Sequence, residues 1–178
     1  MRIAEHASER GFTFVELVIA IAVMGIAMVT MLQMLGLSLA HQSDTLVQSR
    51  TTALAEAYMQ EILARRFDAN TPPGGIPACA PAAVPCSVAS AFDDGETRAE
   101  FDDADDFDGL DELPPLDATG AVRAGYDRYR VQVSVAYPNA AQVTAFGLDN
   151  ASDAKIVSIT VTPPSAPAQP FSFIKGDY

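Results

Sequence analysis

The apolar positions of this chain change period along its length, and the change divides it. Between Leu17 and Ser43 there is no Lys, Arg, Asp or Glu, so this segment is uncharged on every side and predicts a helix whose whole surface meets a nonpolar medium. From Val47 the apolar residues thin to one stripe, Val47, Thr51, Leu54, Tyr58 and Ile62, at spacings of three and four, the pattern of an amphipathic helix with one covered face. No proline occurs from 12 to 66, so both stretches are expected in one helix, about 80 Å long at roughly 1.5 Å per residue. Arg65 and Arg66 suit its carboxyl end, where cations complement the helix dipole, and Thr71-Pro72-Pro73-Gly74-Gly75 stops it.

The last third has a period of two. Tyr129, Val131, Val133, Val135 and Tyr137 alternate with more polar neighbours, and Val157, Ile159 and Val161 repeat the pattern, predicting half-buried strands. Gln142–Phe146 reads as a short strand between them, and Phe171 and Phe173 as a last edge strand. Such a sheet needs cover on one apolar face, and the helix stripe supplies it. The expected fold is therefore α+β, a long amino-terminal helix packed on a carboxyl-terminal antiparallel sheet.

Charge adds one feature. The chain carries a net charge of -12, and the stretch 93–117 alone holds twelve carboxylates against one base, Arg98. This balance argues against nucleic-acid binding, which needs a basic footprint. Asp102, Asp103, Asp105, Asp106 and Asp108 crowd around Gly109, and hard oxygen ligands in a glycine-turned loop suit calcium, the one candidate cofactor. The loop is not an EF-hand, since aligning Gly109 with that motif's glycine puts Ala104 at the first ligand and Pro115 where a bidentate Glu belongs. A solvated acidic loop with no ligand is the equal alternative.

The uncharged segment, at roughly 1.5 Å per residue, is about 40 Å long, more than the hydrocarbon core of about 30 Å requires. Arg2 and Arg10 precede it, which places the amino terminus in the cytoplasm and the remainder outside. Cys79 and Cys86 then lie in an exported domain, where a pair is read as a disulfide rather than a zinc or redox site; His6 and His41, the only histidines, are far from them in sequence. Glu16 is the anomaly, a carboxylate at the start of the apolar run, where a charge costs roughly 2.5 to 3.5 kcal/mol on insertion scales. An amine would relieve it, and cleavage after Gly11 would create one at Phe12.

The run Gly11-Phe12-Thr13-Phe14-Val15-Glu16, placed directly before a spanning-length apolar helix, resembles the prepilin signal of type IV pilins and of the pseudopilins of type II secretion. The resemblance implies that a prepilin peptidase cuts after Gly11, that Phe12 becomes the methylated amino terminus, and that Glu16 guides docking onto other pilin subunits through the inner-membrane assembly machinery. It also implies a type IV pilin-like fold with a cleaved cytoplasmic leader (1–11), a transmembrane half-helix (12–40), an exposed half-helix (41–67), a Pro/Gly-rich and acidic loop region with the disulfide (68–118) and a β-sheet head (119–178). The protein is then a single-pass inner-membrane precursor with a periplasmic head, later part of a pilus. Ala64–Asp68 leading into T-P-P-G-G, the F-D-D-x-D-D-x-x-G-L cluster, and Asp153-Ala154-Lys155 before I-V-S-I-T-V-T are similar to the MSHA-type minor pilins. A type II secretion pseudopilin and a membrane-anchored extracytoplasmic binding module are the alternatives. No G-x-S-x-G or H-E-x-x-H motif occurs, and no enzymatic activity is expected.

Overall fold

A computed structural model describes residues 11, 13–72, 79, 85–89 and 95–177, the side chains of 35–44 excepted. Residues 1–10 of the leader, Phe12 and the Pro73-Gly74-Gly75 part of the helix stop lie outside the described residues. The chain divides into two compact units, Met1–Leu46 and Val47–Tyr178.

Helix α1 covers Phe14–Ala64. In the first unit it carries the apolar span Phe14–Met34, none of it buried within the protein. In the second unit its remaining turns form one wall of the core. Thr51, Leu54, Tyr58 and Ile62 of the predicted stripe are all buried, joined by Ala55. They pack against Val131, Val133 and Val135 of one strand and Val157, Ile159 and Val161 of the next. Burying each such large apolar side chain is worth about 1.5 to 3 kcal/mol, so the stripe fixes which face of the helix meets the sheet.

The sheet has four antiparallel strands in the order β1-β2-β3-β4: β1 Asp111–Glu112, β2 Arg130–Ala136, β3 Ala154–Thr162 and β4 Gln169–Gly176. The register pairs Val133 with Ile159 and Val157 with Phe173, which aligns the buried positions of neighbouring strands on one face. β4 is longer than the phenylalanine pair suggested. β1 comes from the acidic segment, so that segment completes the sheet instead of hanging from it.

Two expectations are corrected. Residues 142–146 are not a strand but part of helix α2, Ala140–Phe146. The side chain of Asn139 accepts from the Gln142 amide while that of Gln142 accepts from the Asn139 amide, a reciprocal cap. Gly147 at φ 67° then closes the helix in the left-handed conformation that glycine adopts without penalty. This capping outweighs the alternation of Gln142-Val143-Thr144-Ala145-Phe146. The second correction concerns the end of α1, which is capped not by Arg65 or Arg66 but by Lys175 of β4. Its Nζ donates to the carbonyls of Ile62, Leu63 and Arg65 at 3.2, 3.1 and 2.7 Å, the groups a helix terminus leaves unsatisfied. Arg66 instead turns to Asp102 and to the carbonyls of Ala69 and Thr71.

Candidate functional site

Gly11 lies ahead of α1, where the backbone is not committed to helical hydrogen bonds. Thr13 starts the helix: its Oγ1 accepts the Glu16 amide at 3.3 Å and its carbonyl accepts the Leu17 amide at 3.2 Å, a threonine cap that satisfies amides of the first turn. Glu16 therefore sits in the first turn, exposed, where a negative charge complements the positive end of the helix dipole. Gly11 thus precedes the capping Thr13 by two residues in sequence, and the carboxylate follows that cap within the first turn. The predominantly apolar span Phe14–Met34, which includes Glu16, is 21 residues long, close to the roughly 20 needed to cross a bilayer.

The five aspartates proposed around calcium do not form one shell, which corrects that expectation. Asp103 Oδ1 accepts the Asp105 amide at 2.7 Å. Asp106 Oδ2 accepts the amides of Asp102 and Asp103 at 2.7 and 2.9 Å. Asp108 Oδ1 takes the Val135 amide of β2 at 2.8 Å, Asp102 is paired with Arg66, and Asp105 faces inward to Lys155. The carboxylates are spent on folding the loop and pinning it to the sheet. Among the described residues, Asp102 and Asp106 alone of the five converge with a third acid, Glu96, their oxygens within 4.8 Å of one another. Phe101 and Phe107 are buried, edge to face at 5.1 Å, and anchor the segment.

Cys79 and Cys86 are joined in a disulfide with Cα atoms 5.0 Å apart. Their sulfurs approach Asp68, but a disulfide offers no thiolate to a metal. Ser87, next in sequence, donates from its amide and hydroxyl to Asp68 at 2.8 and 3.0 Å, tying the disulfide loop to the head.

Two buried charge networks escaped the sequence reading. In the first, Arg98 lies between Glu112, 3.0 Å away, and Glu61, 2.6 Å away, while Arg123 reaches Glu61 at 3.0 Å. Tyr58 donates its hydroxyl proton to Glu112, and burial, then Glu112, push the Tyr58 hydroxyl well above the usual tyrosine range. In the second, Lys155 is wholly buried and bonded to the Phe67 carbonyl at 2.7 Å, with Asp68 and Asp105 beside it. Parity could have revealed both buried lysines. Lys155 shares the odd positions of Val157, Ile159 and Val161, and Lys175 those of Phe171 and Phe173, so alternation extended by one step puts each on the inner face.

Among known families, the prokaryotic N-terminal methylation motif matches residues 6–32, which take in the Gly11–Glu16 run and the apolar start of α1. Neither a characterised protein nor a solved structure matches the chain significantly. The motif supports the type IV pilin superfamily, whose members are structural subunits rather than enzymes, and indicates a prepilin-like substrate of the prepilin peptidase. It implies assembly with other pilins, and together with the apolar helix it points to membrane anchoring.

Proposed function

We propose that this chain is a minor pilin of an MSHA-type type IV pilus, most like the MshD subunit, that enters or primes a filament used in adhesion or motility. The precursor rests in the inner membrane with its leader in the cytoplasm and residues 47–178 in the periplasm. Prepilin peptidase cuts between Gly11 and Phe12, the new amine is methylated, and Glu16 docks against the Phe12 amine of a neighbouring subunit. The observation that carries this reading is the position of the Gly11–Glu16 run, at the threonine-capped start of α1 and directly before the apolar span. An ordinary secretory signal has its cleavage site after the apolar segment; here the candidate site precedes it, so the span stays with the product. The similarity of Ala64–Asp68, the aspartate cluster and Asp153–Lys155 to MSHA-type sequences favours a pilus over a secretion pseudopilin.

Substitution at Glu16 tests the docking step. An intramembrane carboxylate is costly, so Glu16→Ala is expected to insert at least as well as the native chain yet be lost from sheared filaments and accumulate in membranes. Normal incorporation of the alanine variant would remove the docking role.

A further inference from the structure

The two edges of the sheet are built differently. β1 is two residues long, Asp111 and Glu112, each paired with an arginine of the head, and so short and charged an edge offers little to a further strand. β4 runs for eight residues, and among the described residues no strand pairs with its outer side. Its one charged residue, Lys175, turns inward to the end of α1, which leaves this edge without the outward charges that discourage pairing.

The register shows which main-chain groups are open. Beyond the Ala154–Gly176 pair, the Asp177 amide donates to the Asp153 carbonyl at 3.0 Å. Bonded and non-bonded pairs alternate in an antiparallel ladder, so Gln169, Phe171, Phe173 and Lys175 bond to β3, whereas Pro170, Ser172, Ile174 and Gly176 turn their main-chain groups to the open side. Pro170, which has no amide to leave unpaired, falls in the outward set. Toward α1 the same strand borders a groove of about 140 Å³ whose walls include Ala55, Glu56, Met59, Phe171, Ser172 and Phe173. A cavity of about 150 Å³ holds a benzene, so an aliphatic or small aromatic side chain fits. Met59, Phe171 and Phe173 are only half-buried, and Glu56 is exposed with no ion pair among the described residues.

We propose that the open edge of β4 docks an extended segment of another protein, one that alternates apolar and polar residues and carries a Lys or Arg. Main-chain bonds to Ser172, Ile174 and Gly176 lengthen the sheet by one strand, an apolar side chain enters the groove, and the cation faces Glu56. Strand addition divides its work in this way, affinity from the main chain and selectivity from side-chain pockets. Charge selects this occupant over a second copy of the chain. Residues 47–178 carry nineteen carboxylates against nine bases, and Lys175, the only cation of β4, is already committed. Two heads paired through β4 would bring like charges together and leave Glu56 unanswered. The strip lies wholly within Val47–Tyr178 and does not depend on how the Gly11–Phe12 bond is processed.

The test uses the full chain in detergent and a labelled ten-residue peptide in which valine alternates with threonine and lysine, followed by fluorescence anisotropy. Saturable binding is expected, lost on N-methylating one set of alternate peptide amides and kept on methylating the other. Exchanging the peptide's lysines for glutamates should weaken it about fivefold, the upper end for an exposed ion pair. Ile174→Pro removes an outward amide and spares the bonds to β3, so the head should keep its thermal midpoint and lose the peptide. Glu56→Lys, which leaves the backbone unchanged, should prefer the glutamate peptide. Absence of saturable binding, equal binding by both methylated peptides, or undiminished binding to folded Ile174→Pro would overturn the strip. An unchanged preference in Glu56→Lys would overturn the basic occupant. Self-association of the chain in sedimentation, abolished by Ile174→Pro, would overturn it too, by giving the edge to a second copy.

Discussion

Arg98 offers the sharpest test of how the acidic segment is held. Replacing it with Met keeps an unbranched stem against the rings of Phe101, Phe107 and Tyr58, which lie 5.3, 5.0 and 5.7 Å from the guanidinium carbon, but removes the cation between Glu61 and Glu112. Breaking a buried ion pair by deleting one partner costs about 3 to 5 kcal/mol, because a charge is left uncompensated. Part of that is recovered here. Glu61 keeps Arg123 at 3.0 Å, and Glu112 keeps the Tyr58 hydroxyl and the Leu116 amide. The expected loss is therefore about 3 kcal/mol, the low end of that range. The chain has no tryptophan, and its tyrosines all lie within Val47–Tyr178, so urea unfolding followed by tyrosine fluorescence in detergent reports on the head. Arg128→Met makes the same change of net charge at an exposed position and should shift stability by no more than about 0.5 kcal/mol. Adding Glu112→Gln to Arg98→Met should restore part of the loss. If Arg98→Met and Arg128→Met cost the same, or the former costs less than about 1 kcal/mol, the buried hub contributes nothing beyond overall charge and the reasoning fails.

Two further predictions concern the same segment. Burial, then the neighbouring Asp106, raise Asp103 to about 6, so the folded state holds its proton more tightly than the unfolded state, and this contribution to stability declines as pH rises from about 4 to about 6. Comparing unfolding of the native chain and Asp103→Asn across that range should show the decline flattened in the variant; parallel curves would contradict it. Because the five aspartates point to different partners, calcium, magnesium and monovalent salt at matched ionic strength should raise the thermal midpoint of the head equally. A calcium-specific rise lost on changing Asp106 to Asn would restore a metal site built on Glu96, Asp102 and Asp106.

The helix stripe and the two valine-rich strands were legible because each buries one face continuously, which forces the residue pattern to follow the backbone period. The short helix α2 was not, since seven residues are too few to show a helical period, and its stability comes from the caps at Asn139 and Gly147. The buried charges were hidden for another reason. A lone Arg98 among acids reads as solvated, and only the fold brings Glu61 and Glu112 to it from α1 and β1. Cross-strand pairing of Lys155 with Lys175 would look repulsive on the page. It is tolerated because one amine turns to carboxylates and the other to the end of α1. The processing motif was legible outright, because it is local and needs no tertiary partner.

The central claim is that the chain is cut between Gly11 and Phe12 and keeps its apolar helix. Amino-terminal mass mapping of the membrane-extracted protein tests it most directly. The account predicts a mature chain beginning at Phe12, carrying one methyl group on its amino terminus. A mature terminus beyond Met34, with the apolar span removed, would contradict it.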